Sequence, residues 1–112
     1  MKVAVIGSRT FNNYELLKTT LEKYNISNVV SGGAKGADKL SEEYAKEFNI
    51  PTTIFLPNWE KFGKSAGFKR NHDIIQNADM VIAFWDGISK GTKSSIDIAK
   101  KLNKEVVIVS FE

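Results

Sequence analysis

The sequence predicts an α/β protein: one five-stranded parallel sheet with helices packed on both of its faces. Short runs rich in β-branched residues alternate along the chain with stretches whose apolar residues recur at helical spacing. Glycine-containing turns follow these runs at Gly7, at Gly32 to Gly36 and at Gly87 to Gly91, where a parallel sheet places its strand-to-helix turns. The composition agrees. A chain of 112 residues, 42% hydrophobic and 26% charged with 2 prolines, has the balance of one globular domain spanning residues 1–112, and not of a disordered tail or a fibre.

Val3 to Ile6 is continuously apolar, as a strand buried on both faces requires. Asn12-Asn13-Tyr14-Glu15 reads as a capping box with Asn12 as N-cap and Glu15 reaching back, and Leu17, Leu21 and Tyr24 then line one face of a helix ending near Asn25. Val29-Val30 opens the second strand. It runs into Ser31-Gly32-Gly33-Ala34-Lys35-Gly36, after which Ala37, Leu40, Tyr44 and Phe48 continue at helical spacing. Pro51 closes that helix, Thr52 to Leu56 reads as the third strand, and Pro57 to Lys64 reads as a loop before a helix from about Ala66 to Asn77. Met80 to Trp85 is the fourth strand. Thr92 reads as the cap of a helix carrying Ile96, Ala99 and Leu102 inward, with Lys100, Lys101 and Lys104 near its negative dipole end, and Val106 to Val109 is the fifth strand. Four crossovers, each long enough for a helix, imply parallel strands. The expected architecture is therefore a single Rossmann-like three-layer sandwich.

Several chemistries are excluded at once. The absence of cysteine removes disulfides, thiol nucleophiles and cysteine-based zinc sites, and the lone His72 leaves no histidine cluster. No metal and no cofactor is expected, and His72 itself reads as a surface or hydrogen-bonding helix residue. The first apolar run stops at Gly7, too short for a signal-peptide core or a membrane span, so a cytoplasmic protein without membrane attachment is expected. The net charge of +3 is spread along the chain. It accommodates an anionic small ligand without demanding duplex DNA.

The unusual residues collect at the carboxyl ends of the strands, where ligands of such sheets bind. Gly7-Ser8-Arg9-Thr10 offers a tight turn, backbone N–H groups, hydroxyls and a guanidinium that can grip phosphate; the plain alternative is an ordinary turn with Arg9 solvated. In the second turn Gly32, Gly33 and Gly36 would let a phosphate approach the N-terminus of the next helix, with Ala34 between them and Lys35 adding a cation. Asp38 suits either dipole compensation or a ribose hydroxyl. The spacing is not the dinucleotide fingerprint, and it follows the second strand, which argues against NAD-dehydrogenase chemistry.

Lys64, Lys69 and Arg70 place three cations around the start of the third long helix, reaching either a phosphate or solvent. Two matches fail on context: Asn58 stands where a P-loop ending at Gly63-Lys64-Ser65 needs glycine, and a charged loop rather than a strand precedes the G-x-S-x-G match at Gly63 to Gly67. Trp59 and Trp85 are candidates to stack on a base, although Trp85 could equally end its strand in the core. Asp86 suits a ribose hydroxyl or a turn-fixing role. Lys90, Gly91 and Thr92 form a second candidate anion site at a helix N-terminus.

In this order the motifs resemble the YspA-like branch of the SLOG superfamily, which groups nucleotide-related Rossmann domains with the LOG phosphoribohydrolases and DNA-processing proteins. The resemblance spans nearly the whole chain: Val5-Ile6-Gly7-Ser8-Arg9, Ser31 to Asp38, Pro57 and Trp59 with Gly63-Lys64, Ala66-Gly67, Arg70-Asn71, Ala78-Asp79, Phe84-Trp85-Asp86-Gly87 and Ser89-Lys90-Gly91-Thr92. It implies binding of nucleotides or nucleotide-derived signals. The enzymatic branch resembles P-G-G-x-G-T-x-x-E at the second site, and here only Gly91-Thr92 remain; its two glycines fall on Ile88 and Ser89, and its glutamate falls on Ser95. Losing that carboxylate counts against hydrolysis unless Asp38 or Asp86 substitutes. The expectation is therefore binding of a nucleotide-derived small molecule, ADP-ribose-like or cyclic, as a sensor or sequestering protein. A nucleoside-monophosphate phosphoribohydrolase is the first alternative. Single-stranded nucleic-acid binding is the second, with nucleic acid not expected as the main partner. The resemblance also implies self-association, expected as a symmetric dimer through the aromatic segment Trp59 to Phe68, unless that segment folds over the ligand site as a lid.

Overall fold

Every apolar run of the sequence becomes a strand of one parallel sheet in the computed structural model, which describes residues 1–111. The strands are β1 (Lys2–Gly7), β2 (Asn28–Ser31), β3 (Thr52–Ile54), β4 (Met80–Trp85) and β5 (Glu105–Ser110). Their order across the sheet is β3-β2-β1-β4-β5, and all four pairings are parallel. Val3 pairs with Val29 on one side and Met80 on the other, so β1 is the middle strand. Its residues Val3 to Ile6 are buried, as the unbroken apolar run requires.

The alternation of side chains along each strand sorts the core into two layers. Val3, Val5, Val29, Ile82 and Phe84 face α1 (Tyr14–Leu21) and α2 (Ala37–Glu47), meeting Leu17, Leu21, Tyr44 and Ala45. Ala4, Ile6, Val30, Val81 and Ala83 face the opposite way, where Ile74 and Ile75 of one helix and Ile96, Ile98 and Ala99 of another cover them. The sandwich is three layers deep, as the sequence predicts.

Several boundaries move, each for a local reason. The N-cap of α1 is Asn13, whose Oδ1 accepts the Leu16 N–H at 3.0 Å, and not Asn12. Phe11 is buried against Phe84 with ring centroids 4.7 Å apart, which keeps Asn12 in the preceding loop. The helix ends at Leu21 rather than near Asn25. Short i to i−3 bonds from Lys23 and Tyr24 tighten its last turn, and the Met1 amino group donates to the Asn25 carbonyl, drawing the chain back toward the sheet.

Strand β3 stops at Ile54 instead of Leu56, because its neighbour β2 ends at Ser31; the last contact is Phe55 N–H to the Ser31 carbonyl at 2.9 Å. The predicted loop from Pro57 to Lys64 contains a one-turn helix, α3 (Trp59–Phe62), capped by Asn58 Oδ1, which accepts from Lys61 N–H. A 3₁₀ turn (Gly63–Ser65) then leads into α4 (Ala66–Gln76). Helix α5 (Lys90–Lys101) is capped by Ser89 and not by Thr92, which lies inside its first turn with its hydroxyl 3.1 Å from that of Ser89.

Candidate functional site

From β1 the chain runs outward through β2 to β3, then returns to the other flank of β1 as β4. The connections leaving β1 and β4 therefore diverge, and the opening between them at the carboxyl ends is where open α/β sheets bind ligands. A cleft of about 400 Å³ lies there. Gly7 to Thr10 line it after β1, Ala34 and Asp38 around the start of α2, and Arg70, Asn71 and Ile74 on α4. Asp86 after β4 and Ser89, Gly91, Thr92 and Ser95 at the start of α5 complete it.

Backbone fixes the near wall. Ser8 N–H donates to the Phe84 carbonyl at 2.9 Å, and the buried Ser8 Oγ accepts the Asp86 N–H at 3.2 Å, so one residue ties the β1 and β4 exits together. The β1 exit also packs on the turn before α2. Gly36 sits at φ +83°, and a Cβ there would lie 2.3 Å from the Ser8 carbonyl oxygen and 2.8 Å from Arg9 backbone atoms. Only glycine allows both that dihedral and that approach.

Charge comes from four side chains. Arg70 reaches from α4, its Nη1 donating to the Gly32 carbonyl at 2.8 Å and its Nε to Asn71 Oδ1 at 2.9 Å. Burial lowers its pKa; the Asp38 carboxylate opposes that, and the positive charge of Arg9 adds to it. An arginine still stays protonated, so the cleft holds two guanidiniums. Asp38, 7% exposed at the start of α2, accepts the Ala34 N–H at 3.2 Å. Burial pushes its carboxyl up to about 6, against the Ala34 N–H and Arg70, which favour the ionised form. Asp86 goes the other way. Its Oδ1 accepts the N–H groups of Ser89 and Ile88, both at 2.8 Å, and these bonds hold its carboxyl below the usual carboxylate range.

Residues 1–62, just over half the chain, match the family described as YspA, cpYpsA-related SLOG family. The chain is also 31% identical over 118 residues to the Gene 61 protein of Mycobacterium phage D29, covering 95% of this chain and 94% of that protein. The chain belongs to this SLOG family. Its fold is similar to that of DNA processing protein A (DprA) from Streptococcus pneumoniae, with a TM-score of 0.83 at 19% identity, over 99% of this chain and 50% of that one. It is similar also to DprA from Helicobacter pylori, with a TM-score of 0.76 at 24% identity, over 100% of this chain and 66% of that one; that structure addresses the single-stranded DNA binding mode of the protein. This SLOG chain thus spans half to two thirds of the length of these DprA structures, and the likeness is one of fold.

Of the residues singled out in the sequence, the SLOG cleft brings together Gly7, Ser8, Arg9, Ala34, Asp38, Arg70, Asp86, Gly91 and Thr92. Gly32 contributes its carbonyl to Arg70, and a Cβ there would lie 2.8 Å from Arg70 Nη1 and 3.0 Å from Asp38 Oδ2. The glycines of this turn thus serve the chain's own close contacts at Gly32 and Gly36. Gly33, whose N–H donates to Ser31 Oγ, and the exposed Lys35 and Lys64 lie outside the cleft lining, and Lys90 faces a neighbouring groove.

Neither tryptophan lines the cleft. Trp59 lies over Gly67, and Trp85 uses its Nε1 to donate to the Ser89 carbonyl at 3.0 Å, bracing the turn. The aromatics Phe62 and Phe68 also stay off the cleft, so no lid is closed over it. The lining adds Thr10, Asn71, Ser89 and Ser95, with the apolar Ile6 and Ile74, to the predicted set. Asn71 and Ser89 were visible within motifs, but nothing in their spacing showed that their side chains turn inward. Ser95, buried, also lines the cleft. Among the described residues no group of three or more His, Asp or Glu side chains is placed to hold a metal ion.

Proposed function

We propose that this SLOG chain binds a nucleotide or nucleotide-derived ligand in the cleft, as a sensor or sequestering protein. The observation that carries this reading is the pairing of Arg9 and Arg70 in one cleft with the hydroxyls of Ser89, Thr92 and Ser95 at the start of α5. Two guanidiniums and a helix N-terminus suit a phosphate. The outer oxygen of Asp86 and the carboxyl of Asp38 suit ribose hydroxyls, which donate to carboxylates. Calorimetry with AMP, ADP-ribose and cyclic mononucleotides tests it: micromolar binding lost in Arg70→Ala supports the reading, and no heat from any of them at millimolar concentration overturns it.

A second reading is that the phosphate belongs to a single strand. The Helicobacter pylori DprA structure, which addresses a single-stranded DNA binding mode, is similar in fold over the full chain, and this weakens the expectation that nucleic acid is not a partner. Affinity for an oligonucleotide that falls steeply with salt distinguishes it from binding of a free nucleotide. We also propose a symmetric dimer interface centred on Trp59 of α3, which is 59% exposed, with Phe68 left outside it. A monomer mass by light scattering across concentrations would reject that interface.

A further inference from the structure

A second hollow, of about 700 Å³, opens beside the cleft across the turn from Asp86 to Lys90. Asp86 and Ser89 face the cleft, whereas Gly87, Ile88 and Lys90 of the same turn face this groove. Phe68 of α4, Trp85 and Ile98 of α5 supply its apolar surface, and Lys90, Lys93 and Lys101 with one carboxylate, Asp97, supply its charge. Ile88 is 82% exposed and Phe68 58%. Leaving two large apolar side chains in water beside each other forgoes burial worth about 1.5–3 kcal/mol each. Trp85 is held in place by its bond to the Ser89 carbonyl. Lys93 is neutralised by Asp97 at 3.0 Å, while Lys90 and Lys101 make no ion pair among the described residues.

We propose that this groove is a base-stacking subsite for single-stranded nucleic acid, continuing the cleft across the Asp86–Lys90 turn. The proposal rests on the single-strand reading above and adds a surface to it. Apolar and aromatic faces beside unpaired cations match a ligand that alternates flat bases with phosphates. A second copy of the chain docked here by a two-fold axis would set this face, with its unpaired Lys90 and Lys101, against the same two cations of the partner, which argues against self-association at this face. An acidic peptide with aromatic anchors shares the charge complementarity. Continuity favours the nucleic acid, because one turn, Asp86 to Lys90, walls both hollows.

The test is fluorescence anisotropy of labelled dT12 with the full chain at two salt concentrations. Ile88→Asp and Lys101→Glu, both exposed positions outside the cleft lining, should each weaken binding about tenfold or more while circular dichroism shows both variants folded; Lys101→Glu alone should lower the thermal midpoint slightly, since it puts an anion at the negative end of α5. Arg9→Ala reports on the cleft separately. If dT12 binds the wild type and both groove variants equally while Arg9→Ala weakens it, the groove is overturned and the single-strand reading survives. If the wild type does not bind dT12, both fall. Binding of a glutamate–tyrosine copolymer that depends on Ile88, without dT12 binding, overturns the proposal in favour of an acidic protein partner.

Discussion

Arg70 and Gly32 are 38 residues apart in sequence, yet the guanidinium of one donates to the carbonyl of the other at 2.8 Å. The bond crosses from α4 to the turn after β2 and passes beside Asp38, whose Oδ2 would lie 3.0 Å from a Cβ at position 32. A glycine is needed there to leave room for the arginine and the carboxylate together. This corner of the cleft is thus assembled from two separate chain segments, α4 and the turn that joins β2 to α2, and each can be altered alone.

Arg70→Ala should cost about 1–3 kcal/mol of stability, the range for losing a charged hydrogen bond and leaving a buried acceptor without its donor. Arg70→Lys should recover little of it, since an ammonium cannot serve both the Gly32 carbonyl and Asn71 Oδ1 in the planar geometry of the guanidinium. Urea unfolding of the three proteins measures this; a lysine variant as stable as wild type would show that charge alone matters.

Gly36→Ala should be among the most damaging single-methyl changes in the chain. The added carbon would meet the Ser8 carbonyl at 2.3 Å at a dihedral that alanine disfavours, so a loss above about 2 kcal/mol is expected. Gly91→Ala is the control: nothing lies within 4 Å of its added carbon, and alanine's helix propensity should leave the protein equally stable or about 0.5–1 kcal/mol more so. Thermal melts of the pair decide the matter.

That contrast shows where the sequence was legible. Val3 to Ile6 and Met80 to Trp85 announce central strands because burial on both faces demands unbroken apolar runs. The cleft's position follows from the parallel order of the strands, which brings Ser8, Asp38 and Asp86 to one edge. The purpose of Gly32 and Gly36 was not legible, because a glycine for ligand approach and a glycine for backbone approach look identical in sequence. The caps lie one and three residues from Asn12 and Thr92, because nearby hydrogen-bonding residues compete: burial of Phe11 against Phe84 leaves Asn13 as the cap of α1, and Ser89 accepts the Thr92 N–H. Asn71 Oδ1 accepts from the same guanidinium that reaches the Gly32 carbonyl, a long-range contact that no local pattern encodes.

Asp38 should make stability fall as pH rises. Its carboxyl is raised from 3.8 to about 6 in the folded chain, so the folded state holds the proton more tightly than the unfolded state. Its contribution is present in full below the unfolded value and is lost as pH climbs through about 6, on the order of 3 kcal/mol over the whole range. Asp38→Asn keeps an acceptor for the Ala34 N–H and removes the titration. The variant should gain on the wild type between pH 4 and pH 8 in thermal midpoint, and a constant difference would show that Asp38 titrates normally.

Hydrolysis of a nucleotide is the outcome that the cleft disfavours. N-glycosidic cleavage needs a carboxylate to assist the leaving base or to stabilise the developing oxocarbenium ion. Where the sequence resemblance leads one to look for a glutamate stands the Ser95 hydroxyl, and Asp86 has one oxygen committed to the Ser89 and Ile88 N–H groups. Asp38 is left: its raised pKa would let it act as an acid near neutral pH, but it is nearly buried and faces the Ala34 N–H. AMP, CMP and NAD incubated with the protein should therefore be recovered intact by chromatography. Release of free base that disappears in Asp38→Ala would reverse this conclusion and assign to Asp38 the acid role that the missing glutamate leaves open.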